Sequence, residues 1–215
     1  MTRFVLGSAA RAVADLRERV TAGELAPGSQ LSETRWTNEL GVSRNTLREA
    51  FSTLVEEGLL VRIPHRGVFV ASLTAAQIAD LYRVRVLLEC SVLRDAPVDP
   101  PRADGLRAAV EDAEKCAAEG DWRAVGTANM RFHEQIIALA GSPRLDAWMT
   151  QLTAELRLAF VAASDHEALH RQFVPRNAEI TAAYEAGDAV RAADLLRRYL
   201  ELSERALTQA GDDVR

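Results

Sequence analysis

The stretch from Leu31 to Val70 constrains the fold more than any other part of the chain. It holds two short segments with helical spacing of apolar residues, separated by Gly41, and then two β-rich runs after Gly58. Ser32 and Ser43 stand where the two helices should begin, because a serine side chain accepts hydrogen bonds from the first free amide groups of a helix. The order of helix, glycine turn, helix and hairpin predicts a winged helix-turn-helix.

The second of these helices has one apolar and one polar face. Its apolar residues recur at helical spacing and predict a core face: Leu47, Ala50, Phe51, Leu54 and Val55. Arg44, Asn45 and Arg48 lie on the opposite side, near the helix start. Forked guanidinium groups suit guanine edges or phosphates, and a short amide suits adenine, so the pattern is typical of a helix that reads the DNA major groove. The alternative is a polar face that only meets solvent.

The hairpin after Gly58 is predicted from two β-rich runs, Leu59–Ile63 and Val68–Ala71. The residues between them include His65 and Arg66, which are placed to enter a minor groove or to meet phosphate. Upstream, a helix is predicted from Ser8, as its N-cap, to Ala22.

The charge distribution limits how DNA can be bound. The chain has a net charge of −5, but residues 1–72 hold 9 Arg against 8 Asp and Glu, and the remainder holds 17 basic and 23 acidic residues. Since the N-terminal part is only slightly basic, DNA contact must be focused on a few arginines.

Cysteine content and hydropathy indicate the compartment. Cys90 and Cys116 are too few and too far apart for a disulfide framework. No run approaches the roughly 18 apolar residues of a membrane span, and residues 1–6 lack the apolar core of a signal peptide. We therefore expect a cytoplasmic protein without a membrane partner.

From residue 73 onward the pattern is helical, with no credible strand. We expect a mainly α protein: a winged helix-turn-helix DNA-binding domain over residues 1–72, and an all-α bundle of about six helices over residues 73–215 for effector binding and dimerisation. In the first bundle helix Arg85 and Glu89 fall inside the apolar stripe, one turn apart. They are either a half-buried ion pair or an arginine offered to an anionic ligand and held by the glutamate.

Residues 8–71 resemble the DNA-binding domain of the GntR family of bacterial transcription regulators. The match includes these segments: Gly23–Glu24–Leu25, Leu31–Ser32–Glu33, Leu40–Gly41–Val42–Ser43–Arg44, Leu47–Arg48–Glu49–Ala50 and Glu57–Gly58–Leu59. The resemblance implies that operator DNA meets the recognition helix and the wing tip through Ser43, Arg44, Asn45, Thr46, Arg48, His65, Arg66 and Gly67. Thr34 stands where the family usually has a DNA-contacting arginine, so the adjacent Arg35 is the candidate replacement.

Residues 73–207 contain an ordered set of motif residues: Tyr82 with Arg85 and Glu89, Phe132–His133, Ala140–Gly141–Ser142–Pro143, and Ala183 through Gly187–Asp188 to Ala192. In these residues the segment resembles the FCD effector-binding domain of the FadR-type branch of that family. Many FCD domains hold a divalent metal through an Asp, the His four residues later and two further histidines. In this chain those positions are Asn129, His133, Asn177 and Tyr199. Because His133 alone is retained, we expect no tightly held metal and no other cofactor. These four residues with Arg85 predict a hydrogen-bonding pocket for an organic effector; the alternative is an internal network without a ligand.

His166, Glu167 and His170 match the H-E-x-x-H motif of zinc hydrolases. Zincins carry this motif inside a long helix, whereas here Pro175 follows closely, and Phe173 stands where one zincin class needs glycine. We therefore expect a solvent-facing helix turn or loop, and no enzyme.

Together these patterns predict a ligand-responsive transcription regulator: a homodimeric repressor that reads an inverted repeat in double-stranded operator DNA. Its predicted effector is a small anionic metabolite, an organic or sugar acid, bound in the helical domain. Two alternatives are a zinc hydrolase built on His166, Glu167 and His170, and a constitutive DNA-binding dimer without effector.

Overall fold

The computed structural model describes residues 7–97, 100–163 and 165–212, which form two units. Residues 1–6, examined above for a signal peptide, lie outside this part. The first unit comprises the residues up to Leu73 together with Ala154–Ala162, and the second comprises Thr74–Thr153 and the residues from Ala163 onward. The division at residues 72 and 73 stays a prediction, because Ala154–Ala162 interrupts the simple order of the units along the chain.

The first unit confirms the predicted winged helix-turn-helix. Its elements in chain order are α1 (Ser8–Ala22), β1 (Gln30–Leu31), α2 (Glu33–Leu40), α3 (Arg44–Glu56), β2 (Leu60–Ile63) and β3 (Gly67–Val70). The strands form one antiparallel sheet in the order β1-β3-β2, in which Ile63 lies opposite Gly67. The sequence did not predict β1, because two residues are too few to show an alternating pattern.

Capping side chains fix where α2 and α3 begin. The side chain of Ser32 accepts a hydrogen bond from the amide of Arg35, and that of Ser43 accepts one from the amide of Thr46. Gly41 ends α2 in the left-handed conformation, at φ 63°, which is readily open to glycine. The prediction of Ser8 as an N-cap is wrong: Gly7 takes that position without a side-chain bond, and Ser8 is the first helical residue.

The core of the first unit lies under α3. Its fully buried large side chains are Leu16, Trp36, Leu47, Phe51, Leu54 and Leu59. Trp36 is the bulkiest, and the guanidinium carbons of Arg19 and Arg35 lie 5.3 and 5.5 Å from its ring centroid. α2 is therefore anchored by an aromatic side chain with cations beside it.

The second unit is helical throughout its described residues. Its helices are α4 (Ala75–Asp95), α5 (Pro100–Glu119), α6 (Trp122–Ala138), α7 (Pro143–Ala162, of which Ala154–Ala162 belong to the first unit), α8 (His166–His170), α9 (Val174–Glu185) and α10 (Ala189–Asp212). This confirms the predicted all-α bundle. None of the described helices is both long and apolar enough to cross a bilayer.

The helical spacing of the sequence predicts that the inward face of α10 runs through Ala192, Leu195, Tyr199, Leu202 and Ala206, and the structure differs from this. Leu195, Leu202 and Ala206 are only partly buried, whereas the adjacent Leu196 and Ser203 are buried. The reason is that α10 packs against both α4 and α9, so its covered face is wider than a single stripe. Ala140, predicted to face inward at the end of α6, is exposed because it follows the last helical turn.

Replacing Phe51 by alanine should destabilise the first unit by about 3–5 kcal/mol, since its side chain is fully buried and its removal leaves a cavity. Denaturant unfolding followed by circular dichroism measures this. The matched control Val61→Thr, at a residue that is 42% exposed, should change stability by no more than about 0.5 kcal/mol. A Phe51→Ala loss as small as that of the control would contradict the assigned core.

Candidate DNA-binding surface and buried polar cluster

The start of α3 presents the predicted polar face to solvent. Arg44, Asn45 and Arg48 are exposed. The hydroxyl groups of Ser43 and Thr46 lie 2.9 Å apart, and the Ser43 hydroxyl also accepts a hydrogen bond from the backbone amide of Thr46, which caps the helix. Ser43 and Thr46 thus fix the position of the helix start, while the longer side chains extend from it.

Arg48 is held by a carboxylate from the neighbouring helix. Its Nε donates to Glu33 Oε1 at 2.9 Å and its Nη2 donates to Glu33 Oε2 at 3.0 Å. The hydrogen bond from Arg48, together with the positive charges of Arg44 and Arg62, lowers the pKa of Glu33. The exposed Arg62 on β2 was missed by the sequence reasoning, because Leu60, Val61 and Ile63 around it show no alternation that would mark its side as exposed.

The wing tip is a tight turn with two residues at positive φ. His65 has a φ of 61° and Gly67 a φ of 107°, and both are exposed together with Arg66. Gln30 Nε2 donates to the carbonyl oxygen of Arg66 at 2.7 Å, and a Cβ added at Gly67 would lie 3.2 Å from the same nitrogen. A side chain of the short strand β1 thus stabilises the turn that carries His65 and Arg66.

Arg35, the candidate replacement for the family arginine, lies against its own helix. It is 70% exposed, its Nε lies 3.3 Å from Glu39 Oε2, and its guanidinium covers Trp36. A DNA contact by Arg35 stays a prediction.

The second unit contains a buried cluster of charged and polar side chains around Glu89. Arg85 Nε donates to Glu89 Oε1 at 2.7 Å, and His133 Nδ1 lies 2.6 Å from Glu89 Oε2. The side chain of Arg85 is 3% exposed, that of Glu89 0% and that of His133 2%. The expected half-buried ion pair is therefore wholly buried, because α6 and α10 both cover α4.

The protonation states in this cluster follow from burial and charge. Burial alone would raise the pKa of Glu89, but Arg85 and then His133 outweigh it, so the pKa is lowered and the carboxylate stays ionised. Burial and the charge of Arg85 lower the pKa of His133. A neutral imidazole that faces a carboxylate through Nδ1 must carry its proton there, which leaves a lone pair on Nε2.

Three further predicted residues meet at one amide oxygen. Asn129 Oδ1 accepts from Asn177 Nδ2 at 2.8 Å and from the Tyr199 hydroxyl at 2.7 Å. The Tyr199 and His133 rings are in edge contact, with centroids 5.1 Å apart. The structure thus brings all five predicted pocket residues into one buried region that spans α4, α6, α9 and α10.

Two buried atoms of this region have no hydrogen-bond partner among the described residues: His133 Nε2 and Asn177 Oδ1. Both are acceptors, since His133 is neutral with its proton on Nδ1. Unpaired buried acceptors are costly unless a donor group reaches them. Each of these atoms could therefore accept one hydrogen bond from a donor group that reaches it.

The family's metal does not fit these donors. The Asn129 oxygen already accepts two hydrogen bonds, and burial raises the pKa of Tyr199, so its phenol stays protonated. One imidazole and a neutral amide oxygen remain, which is a poor transition-metal site.

A surface groove of about 310 Å³ between α9 and α10 opens above the buried cluster. Tyr199 and Ile180 contribute to its lining and are themselves almost fully buried. Its charged lining residues are Arg176, Glu179, Arg198, Glu201 and Arg205. Sequence reasoning missed these arginines, because single exposed cations on a helix do not stand out in sequence.

The H-E-x-x-H segment forms the five-residue helix α8, capped by the side chain of Asp165. The prediction that it faces solvent is wrong for His170, which is 2% exposed, because α8 packs one side against α6. Within the described ranges no three His, Cys, Asp or Glu side chains are placed to hold a metal ion.

Two family models match the chain. The model described as bacterial regulatory proteins of the gntR family matches residues 8–70, and the model of the FCD domain matches residues 80–202. The first covers the winged helix-turn-helix, and the second covers the residues of the buried cluster.

Relatives and solved structures agree with these models. An HTH-type transcriptional regulator from an unstable DNA locus of Streptomyces ambofaciens is 31% identical, covering 86% of this chain and 78% of that protein. The gluconate operon transcriptional repressor of Bacillus subtilis is 33% identical, but the match covers only 59% of this chain and 53% of that protein.

Among solved structures, a putative transcriptional regulator GntR from Rhodococcus sp. RHA1 is 36% identical, with a TM-score of 0.88 over 94% of this chain and 98% of that chain. The likeness thus extends over both units. With its winged helix-turn-helix and its FCD domain, the chain belongs to the GntR family and is a DNA-binding transcription regulator.

Proposed function

We propose that the chain is a homodimeric repressor that binds an inverted-repeat operator and responds to a small acidic effector in its helical domain. The observation that carries the DNA-binding part is the exposed polar face at the start of α3, with Arg44, Asn45 and Arg48 beside a braced wing. The proposed repressor role is supported by the similarity to the gluconate operon transcriptional repressor.

Base reading is assigned to α3 and backbone contact to the wing. Arg44 and Arg48 stand one turn apart near the N-terminus of α3, which suits insertion into the major groove. His65, Arg66 and Gly67 stand at the exposed wing tip, where a minor groove or a phosphate is within reach. Ser43, Thr46 and Arg35 are proposed as further contacts to the backbone.

Dimerisation is proposed through α4 and α10. Leu87 on α4 is 64% exposed and lines a groove of about 360 Å³ with Ala79, Val86 and residues of α10. A second copy would cover Leu87 and the groove around it, which also contains the charged Arg83, Arg197 and Glu204; symmetric dimers form through one such patch shared by both copies. Two copies would then present two recognition helices to two half-sites.

The effector is proposed to bind in the α9–α10 groove and to reach the buried cluster through Tyr199. Arg85 is an unsuitable anion site by itself, because Glu89 already neutralises it. The groove instead offers Arg176, Arg198 and Arg205 against two glutamates, which favours an anionic group. A hydroxyl of the same ligand would suit the acceptors of His133 and Asn177.

Binding there would alter DNA affinity by changing how α6, α9 and α10 pack around Asn129. Allosteric coupling of this kind is typically about 1–3 kcal/mol. We further propose that this response needs no metal and that the chain is not a catalyst, since α8 is too short and too buried to form a zincin site.

Arg44→Ala should cost about 1–3 kcal/mol of binding to a DNA site that the wild type selects from a random library, and should relax base preference at one position. Fluorescence anisotropy against that site and against random duplex measures both. Arg123→Ala, at an exposed arginine on α6, is the control and should leave both affinities unchanged. Equal loss on selected and random DNA would instead assign Arg44 to phosphate.

A panel of carboxylates and sugar acids, gluconate among them, should contain a compound that raises the melting temperature, because a ligand of the folded state adds about 2.7 kcal/mol at 100 times its Kd. Arg198→Ala should abolish that shift by removing an arginine of the groove, and Arg123→Ala, at an exposed arginine outside the groove, should retain it. If Arg198→Ala retains the full shift, the groove is not the site.

The wild type, stripped with chelator and reloaded with Zn²⁺ or Mn²⁺, should hold far less than one ion per chain by elemental analysis. The reason is that Asn129 and Tyr199 are neutral and already hydrogen-bonded, which leaves only the His133 imidazole and the neutral amide oxygen of Asn177. The triple variant Asn129→Asp, Asn177→His, Tyr199→His should gain stoichiometric metal and a higher melting temperature. Stoichiometric metal in the wild type would contradict the proposal.

A further inference from the structure

We propose that Glu33 is a positioning residue for DNA reading: its carboxylate holds Arg48 by one edge of the guanidinium, so that the opposite edge is presented to the bases. The inference rests on the proposed function, in which Arg48 contacts DNA. It adds a residue from α2 to a surface otherwise built from α3 and the wing.

The atoms of the pair show which edge is used. Glu33 accepts from Nε and Nη2 of Arg48, at 2.9 and 3.0 Å. A guanidinium has five N–H groups, and Nε with one hydrogen of Nη2 forms its side edge. Nη1 and the second hydrogen of Nη2 form the end edge, which Glu33 leaves free. Two parallel donors of that kind match the O6 and N7 acceptors of guanine.

The ion pair between Arg48 and Glu33 contributes little to the stability of the fold. The side chains of Arg48 and Glu33 are 58% and 33% exposed, and ion pairs at such exposure add little to stability. The benefit is instead conformational: a long arginine side chain loses rotamer freedom when it binds, and a partner that fixes its plane beforehand reduces that loss.

A carboxylate on the DNA-binding surface, such as that of Glu33, repels the phosphates of DNA. Arg48, Arg44 and Arg62 all lower the pKa of Glu33, so it lies among the cations that would attract phosphate. One negative charge there weakens attraction to any DNA, whatever the sequence. Glu33 therefore opposes general affinity, and its advantage must lie in selectivity.

Glu33 is itself well placed to hold a neighbour. It is the first residue of α2, directly after the Ser32 cap, where a negative charge is favoured by the helix dipole. α2 is fixed in turn by the buried Trp36. The carboxylate thus comes from a rigid element.

The test is a double-mutant cycle with Glu33→Gln, Arg48→Ala and the double variant. Each variant is titrated against the site that the wild type selects from a random library and against random duplex of equal length, at several salt concentrations. Thermal unfolding checks that each variant folds. Glu49→Gln, which removes an exposed carboxylate from α3 itself, is the matched control for charge.

Glu33→Gln should bind random duplex more tightly than wild type and should lower the ratio of selected to random affinity by about 3- to 10-fold, a part of the loss expected for a whole base contact. Glu49→Gln should leave the ratio unchanged. In the Arg48→Ala background Glu33→Gln should no longer change the ratio, because the side chain that it positions is gone.

Two results would overturn the proposal while leaving the DNA role of Arg48 intact: an unchanged ratio in Glu33→Gln, or an equal fall of the ratio with and without Arg48. If Arg48→Ala itself leaves the ratio unchanged, the assigned role of Arg48 fails, and that of Glu33 fails with it. Arg48→Lys keeps the positive charge but lacks the two parallel donors of a guanidinium. It should lower the ratio of selected to random affinity without binding random duplex more tightly than wild type.

Discussion

The packing of the second unit depends on how the charge of one buried carboxylate, Glu89, is balanced. An ionised group without water is tolerated only when its charge is balanced and its oxygens are hydrogen-bonded. Arg85 satisfies one oxygen and His133 the other, which fixes α4 against α6. Beside this pair the Asn129 oxygen joins α6 to α9 and α10. Four helices are thus held in register by polar contacts, in addition to their apolar packing.

In the first unit the charged side chains of the candidate site are exposed rather than buried. Its arginines on α3 and the wing are exposed, so water solvates them and their charge remains available to a partner. Neighbouring side chains fix the backbone from which these arginines extend: Ser43 caps the start of α3 and Gln30 holds the wing tip, while Glu33 also holds the Arg48 side chain itself. A rigid frame with solvated, long side chains suits a surface that must meet an anionic polymer.

The sequence was most informative where local chemistry decides the structure. Caps such as Ser43 and the αL glycine Gly41 depend on neighbours in the chain, and both were predicted. The full burial of Glu89 and His170 was not, because burial depends on helices that are distant in sequence. The same holds for the Glu33–Arg48 pair, which joins residues 15 positions apart. The family resemblance located the buried cluster, but its hydrogen bonds required coordinates.

The arrangement around Glu89 also bears on the response to acid. A free imidazole gains a proton near pH 6.5 and a free carboxyl group near pH 4.3, at roughly these values. In this protein the pKa of His133 and the pKa of Glu89 are both lowered, so neither group changes charge as the medium becomes mildly acidic. The stabilisation from Glu89 persists above the ordinary carboxyl pKa and is lost only as the pH falls through the lowered value. The folded second unit therefore keeps the charges of this cluster in mildly acidic medium, but its free energy of unfolding falls below about pH 6.5, because the unfolded chain then binds a proton at His133 that the folded chain does not.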